Sequence, residues 1–477
     1  MSVVLGIDIG TSATKTLAID ASGRVIARAT REYPLLQPQP GWAEQDAEDW
    51  WRASRETIRA VMHSADLRGE DVAAIGLSGQ MHGSVFLDAS GEVVRPPLLW
   101  CDVRTSAECR LIEAAVGGRE KLVELTGNPA LEGFTAPKAV WLREHEPEHF
   151  GRVAKLCLPK DYVRFRLTGE IACEVSDAAG TLLFDVKRRA WSEPVLDALQ
   201  IPRSWMPPVY ESQEVCGRVT GRVAAETGLA AGTPVVGGGA DNTCGALGAG
   251  IVAPGRVLAS IGSSGVILTQ ADGFALDPKG RVHSFNHSVP ATWYLMGVTL
   301  AAGLSLRWFR DQFGRIEQAA AELSGLDAYD LLGREAAGSA SGARGLLFLP
   351  YLNGERTPHA DANARGVLFG LSGAHTRGDV VRSILEGVTF SLRDSVEIFR
   401  ELNQPAAQIR VIGGGAKSPL WRQIQADVFG AEVLTLAIDE GPAFGAALLA
   451  GVGAGWFAGA AEAAEALVKI GGGCAPD

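Results

Sequence analysis

The chain has 477 residues, 47% hydrophobic and 21% charged, enough for two ordinary domains or one large two-lobed protein, which excludes a peptide-sized or disordered chain. Its 44 Lys and Arg against 55 Asp and Glu leave a net charge of −11. That balance is unsuited to tracking a nucleic-acid backbone, so any phosphate must be gripped locally. Seven scattered cysteines without a CxxC pair read as reduced thiols, and the N-terminus MSVVLGIDIG has no basic n-region and carries Asp8 where a signal peptide is apolar, so a cytoplasmic location is expected.

The first elements are three strands, Val3 to Ile9, Lys15 to Ile19 and Val25 to Arg28, joined by tight polar turns into an antiparallel meander. Asp46 and Asp49 precede Trp51, Ile58, Val61 and Met62 at helical spacing, and a further apolar strand runs from Val72 to Leu77. Far downstream, Ile261-Gly262-Ser263-Ser264 repeats Ile9-Gly10-Thr11-Ser12 in the same strand-turn-strand setting, 252 positions on, which suggests a duplicated two-lobe architecture. We place the boundary near residue 243, giving domains 1–243 and 244–477. A long helix is expected through Val381, Ile384, Leu385, Val388, Leu392, Val396 and Phe399; then come a strand, Ile409 to Ile412, and a helix with Ser418 as N-cap, Pro419 at its first position and Gly430 at its end. The 21 uncharged residues between Glu440 and Glu462 include six Gly and eight Ala. A packed small-residue helix suits them better than a membrane span.

Several turns carry residues with chemistry to offer. Gly10-Thr11-Ser12 can turn backbone amides and two hydroxyls toward a terminal phosphate, with Lys15 as a nearby point charge, although a plain β-turn uses the same residues. Asp8, two residues upstream, offers a hard oxygen to Mg²⁺. Gly262-Ser263-Ser264 is a second such turn, and Gly413-Gly414-Gly415-Ala416, between strand and helix, lets backbone lie against a nucleotide, where a flexible turn is the simpler reading. Asp241 follows the strand Pro234 to Val236 through three glycines and Ala240, and stands before Asn242 and a small-residue segment. A carboxylate there can take a proton from an attacking hydroxyl, or it can be a helix N-cap; the residues leave both open. Met81 and His82 offer an apolar wall and an imidazole to a polyol; Trp100 can stack on a sugar face and Asp102 accept from its hydroxyls, unless the pair is an edge Trp with an ion pair to Arg104. The remaining histidines form no recognisable zinc ligand set.

Taken in order, Gly6-Ile7-Asp8-Ile9-Gly10-Thr11-Ser12, Gly79-Gln80-Met81-His82-Gly83, Thr126-Gly127-Asn128-Pro129-Ala130, Leu158-Pro159-Lys160-Asp161-Tyr162, Gly239-Ala240-Asp241-Asn242, Leu349-Pro350-Tyr351-Leu352-Asn353-Gly354-Glu355-Arg356-Thr357-Pro358 and Gly413-Gly414-Gly415-Ala416 make the chain resemble, nearly end to end, the FGGY carbohydrate kinases of the actin-like ATPase superfamily. The resemblance implies an α/β fold of two ribonuclease-H-like lobes with a central cleft, and ATP- and Mg²⁺-dependent transfer to the 5-hydroxyl of D-xylulose. It implies Asp241 as proton acceptor with Asp8 near the metal, Met81, His82, Trp100, Asp102 and Asn242 at the sugar, and the glycine-rich turns at the nucleotide. A homodimer is the family's expected assembly; no nucleic acid or membrane is expected as partner. Cys101 and Cys244 depart from the pattern close to the sugar residues, which bears on acceptor choice. The rivals are a kinase of the same family for ribulose, gluconate or glycerol, and a non-catalytic actin-like ATP-binding regulator.

Overall fold

The computed structural model describes residues 2–477. Two compact units account for it. The first comprises the chain as far as Val252 together with Ser284–Trp293 and Glu440–Val468; the second comprises Ala253–His283, Tyr294–Asp439 and Lys469–Asp477. The first changeover falls close to the expected boundary, but the return of two later segments to the first unit departs from the simple division into 1–243 and 244–477.

In the first unit β1 (Val3–Ile9), β2 (Ala13–Asp20) and β3 (Val25–Glu32) form the expected antiparallel meander. The helix Ala47–Ser64 follows, with the Asp46 side chain accepting from the Glu48 amide as its N-cap. β4 (Val72–Gly79) then pairs parallel to β1. With β5 (Val215–Arg218), β6 (Pro234–Val236) and β7 (Gly239–Ala240), the sheet runs β5-β6-β4-β1-β2-β3, and β7 pairs with the end of β4. β1 is apolar almost throughout because both its faces are covered.

One face of this sheet receives the helix Pro442–Gly453, the heart of the uncharged segment. A Cβ added to Gly6 would lie 2.0 Å from the Ala443 carbonyl oxygen, and one on Gly76 2.0 Å from that of Ala446. Helix and sheet touch backbone to backbone, which is why the segment is built from Gly and Ala. Among the described residues no helix is long and apolar enough to cross a membrane.

In the second unit the strands β8 (Gly255–Ile261), β9 (Gly265–Ala271), β10 (Trp293–Thr299), β11 (Ala406–Gly413), β12 (Glu432–Leu436) and β13 (Ile470–Cys474) lie in the order β10-β9-β8-β11-β12-β13. β8 runs antiparallel to β9 and parallel to β11, and β12 runs parallel to β11. This repeats the plan of the first unit: a meander whose first strand takes a parallel neighbour on its other side, with a further parallel strand and an antiparallel edge beyond. The expected long helix spans Arg377–Glu401 and is opened by a capping box between Thr376 and Asp379. Its Val381, Ile384, Leu385, Val388, Leu392, Val396 and Phe399 are all buried in this unit's core. The helix Pro419–Phe429 begins with Ser418 accepting from the Trp421 amide and ends at Gly430 in a left-handed conformation, φ 62°.

Candidate active site

Three loops of the first unit leave the ends of neighbouring parallel strands. Ile9 of β1 is in register with Gly79 of β4, and Gly79 with Ala240 of β7. The Gly10–Ser12 turn, the Gln80–Gly83 turn and Asp241 therefore start side by side, where open α/β sheets generally place their ligands.

The Gly10 turn is shaped by side chains that capture its carbonyls. Tyr33 Oη donates to Gly10 O at 2.6 Å, Gln45 Nε2 to Thr11 O at 2.7 Å, and the Tyr33 amide to Ser12 O at 3.2 Å. Gln80 Nε2 donates to Gln45 Oε1 at 3.0 Å, tying this turn to the next. Carbonyls held on one side leave amide hydrogens for the other, the arrangement an anion needs. Tyr33 and Gln45 were not singled out from sequence; nothing in their local pattern marks them, and only the fold brings them to this turn.

Asp241 occupies the first position of the helix Asp241–Gly248; the N-cap is Ala240, so the capping alternative does not describe it. Its Oδ1 accepts from the Asn242 amide at 2.7 Å. Burial, then the charge of Asp8, push its carboxyl up to about 7, against the opposing Asn242 hydrogen bond. Asp8 is itself raised by burial to about 6, with Ser78 and the Lys15 charge offsetting part of the rise, and its Oδ1 is buried without a hydrogen-bond partner. Two such carboxyls, one poised near neutrality and one with an unspent oxygen, suit a proton acceptor and a cation ligand respectively.

Met81 and His82 are joined to Asp241's helix by the Asn242 amide nitrogen, Nδ2, which lies 3.4 Å from Met81 Sδ. His82 is left-handed at φ 68°, an uncommon setting for a non-glycine residue. Its Nδ1 lies 2.5 Å from the Gly180 carbonyl and its ring packs 4.5 Å from that of Phe134. Its carbonyl accepts from Thr135 Oγ1 and from Lys138 Nζ, each at 3.0 Å, and Lys138 also donates to Gly133 O at 2.6 Å. Lys138 is fully buried, and desolvation drives its ammonium down to about 7 despite the nearby Asp102. Gly180 was not anticipated either: a Cβ there would stand 2.9 Å from Met81 Cε and 3.0 Å from His82 Nδ1, so its small size keeps both side chains in place.

Two expectations are corrected. Asp102 is fully buried, and both its oxygens are taken: Oδ1 by the Arg104 amide at 3.0 Å and Nε at 2.9 Å, Oδ2 by Arg104 Nη2 and the Ala43 amide, each at 2.6 Å. A carboxylate so committed holds the 100–104 turn instead of a sugar hydroxyl. Lys15 binds Glu440 twice, its Nζ lying 2.5 Å from the carboxylate and 2.9 Å from the carbonyl, so its charge is already partnered. Trp100 stays 41% exposed, with its indole N–H donating to Thr11 Oγ1 at 2.9 Å.

The second unit holds a cavity of about 480 Å³ beyond the ends of the parallel pair β8 and β11, where Ile261 is in register with Gly413. Gly262, Ser263, Gly414 and Gly415 line it; Ser264, Gly413 and Ala416 belong to the same two turns. Trp421, Tyr329, Arg307 and Lys417 supply aromatic and cationic walls. Arg307 Nη2 donates to Ser263 Oγ, and the Ala302 and Gly303 amides bond the Ser263 and Gly262 carbonyls at 3.0 and 2.9 Å, fixing the turn. The volume and lining fit a nucleoside, with glycine turns where phosphates would follow.

The two halves of the chain match known domains: residues 3–248 match the N-terminal domain of the FGGY family of carbohydrate kinases, and residues 257–454 its C-terminal domain. The xylulose kinase of Bacillus subtilis is 46% identical over 469 residues, covering 98% of this chain and 92% of that protein. A crystal structure of a Brucella ovis xyloylose kinase, 34% identical, superposes with a TM-score of 0.90 over 100% of this chain and 95% of its own. A gluconate kinase from Lactobacillus acidophilus, 26% identical, reaches 0.92 over 100% and 94%. With two sheets of one plan, paired carboxyls at the strand ends of the first and a glycine-lined cavity in the second, the chain belongs to the FGGY family of carbohydrate kinases.

Proposed function

We propose that the protein transfers the γ-phosphate of ATP to the 5-hydroxyl of D-xylulose. The observation that carries the reading is Asp241: a carboxyl raised to about 7, beside Asp8 and linked through Asn242 to Met81, at the end of a parallel strand. In this reading the ketose lies against Met81, His82, Asn242 and the exposed Trp100, and Asp241 takes the proton of the attacking hydroxyl. A base whose pKa sits near the working pH is about half ionised and still basic enough to accept a proton. The second unit's cavity takes the adenosine, with its glycine turns toward the phosphates, and the Gly10–Ser12 turn offers its amides to a phosphate. The unpartnered Oδ1 of Asp8 fits a hard divalent cation such as Mg²⁺, held directly or through water. When bound, that ion offsets phosphate charge. Positioning then supplies most of the rate.

The test is ATP consumption measured across free ketoses, polyols and sugar acids, with the product's phosphate position assigned by NMR. D-Xylulose should give the largest kcat/KM, and Asp241→Asn should abolish turnover while leaving nucleotide binding intact. A larger kcat/KM for another acceptor overturns the substrate, and near-normal turnover of Asp241→Asn overturns the base. The fold of the gluconate kinase is equally close, so gluconate belongs in the panel.

A further inference from the structure

Behind the Asp241 loop lie five fully buried ionisable side chains that the proposed chemistry does not use. Lys160, Asp161 and Arg164 belong to the helix Pro159–Thr168; Glu174 and Asp177 stand at the start of the helix Val175–Ala179. Lys160 Nζ is 2.7 Å from Asp161 Oδ1, 2.8 Å from Asp177 Oδ2 and 3.3 Å from Glu174 Oε1, and Arg164 Nη2 is 2.8 Å from Asp161 Oδ1. Buried ion networks are poor sources of stability, because desolvating the charges costs about as much as their attraction returns. What this one grips is more telling than what it stabilises.

Besides the Ala172 carbonyl, which accepts from Arg164, and the Ser176 and Asp177 amides, which Glu174 caps, its outward contacts lead to the Gly237–Ala240 segment that delivers Asp241. Arg164 Nη1 donates to the Gly237 carbonyl at 2.7 Å. Glu174 accepts from the Ser176 hydroxyl at 2.8 Å and from the Ser212 hydroxyl at 3.0 Å. The Ser212 carbonyl in turn accepts from the Gly238 amide at 2.9 Å, and Ser176 Oγ accepts from the Ala240 amide at 3.0 Å. A serine hydroxyl has one hydrogen; with it given to Glu174, the oxygen can only accept, so the carboxylate fixes Ser176 as the acceptor for Ala240. Gly238 is left-handed at φ 73°, and a Cβ there would come 2.0 Å from the Leu77 carbonyl oxygen, so the segment lies hard against β4. The Gly237–Ala240 backbone, up to the Gly239–Ala240 peptide, is therefore clamped from below by a buried ionisable network.

We propose that Ser176, oriented by Glu174, is a positioning residue for phosphoryl transfer: by holding the Ala240 amide it sets the backbone that leads into Asp241, so that the Asp241 carboxylate meets the attacking hydroxyl. The inference rests on the reading of Asp241 as the base.

The experiment is Ser176→Ala in the full-length chain, assayed with ATP and D-xylulose, with backbone hydrogen exchange followed over residues 234–245. Misplacing a catalytic group by about an ångström costs on the order of a hundredfold in rate. We expect kcat to fall roughly ten- to a hundredfold, both KM values to stay within about twofold, and exchange at the Ala240 amide to accelerate. Ser176→Thr keeps the hydroxyl and should recover most of the lost kcat; should the alanine chain not fold, Ser176→Cys, similar in size and a weak acceptor, is read in its place. An unchanged kcat overturns the proposal. So does a fall in kcat accompanied by an equal rise in KM, or one that threonine fails to rescue. Asp241→Asn separates the two readings: if it is inactive while Ser176→Ala is normal, this inference alone falls, whereas an active Asp241→Asn removes the base itself.

Discussion

Lys138→Met should change how stability depends on pH, by an amount the structure sets. Lys138 is buried with two backbone carbonyls as partners, and its ammonium titrates at about 7 in the folded chain against the ordinary 10.5. Between those values the unfolded chain holds a proton that the folded chain does not, so this residue's contribution to stability rises with pH. From pH 7 to pH 9 the increase comes to about 2 kcal/mol. Other groups titrate in the same range. Burial lifts the thiols of Cys109, Cys157 and Cys173, which lowers stability as pH rises toward and past 9. They are common to both chains and cancel in the difference. The assay is equilibrium urea unfolding followed by tryptophan fluorescence at pH 7, 8 and 9, with m values checked for constancy. Wild type should gain about 2 kcal/mol on the methionine variant across that span. Parallel curves would mean that Lys138 keeps an ordinary pKa and that its clamp on His82 costs no desolvation.

Three further outcomes follow from the same geometry. Gly180→Ala places a methyl 2.9 Å from Met81 Cε and 3.0 Å from His82 Nδ1, so the KM for the ketose should rise about tenfold or more with the KM for ATP unchanged; steady-state kinetics with each substrate varied decides it. Asp241→Asn should be more stable than wild type at neutral pH: the folded carboxyl titrates at about 7 against an ordinary 3.8, so the folded state binds the extra proton and wild type loses stability as pH rises from 4 to 7. The gap in unfolding free energy should widen across that window by at most about 4 kcal/mol and then stay level. Gly445→Ala would set a Cβ 1.9 Å from the Cys244 carbonyl oxygen, on the helix that Asp241 begins. It should cost about 3 kcal/mol or more and lower kcat as that helix is pushed aside; an unaltered thermal midpoint would refute the close contact.

Much of this molecule is local, and local features were legible in the chain itself. The strand periods of residues 3–32, the capping signals at Asp46 and Ser418, and the apolar stripe from Val381 to Phe399 depend on neighbours three or four residues away, and the elements formed where those neighbours predicted. The repeat of Ile9–Ser12 at Ile261–Ser264 pointed correctly to two sheets of one plan, because the same turn recurs wherever the same strand pair must be closed. Motif order likewise singled out Asp8 and Asp241.

Tertiary structure decided what those residues are free to do. Asp102 looked available for a sugar until Arg104 and Ala43 were seen to consume its oxygens, and Lys15 looked like a phosphate ligand until the chain returned at Glu440 to pair with it. Gly180, Ser176 and Lys138 carry no signal of their own, since their importance lies in a carbonyl, an amide or a ring brought against them from distant segments. The pKa values of Asp8 and Asp241 belong to the same class: a carboxyl's chemistry in sequence is that of any aspartate, and burial, which no local pattern records, is what raises it toward neutrality.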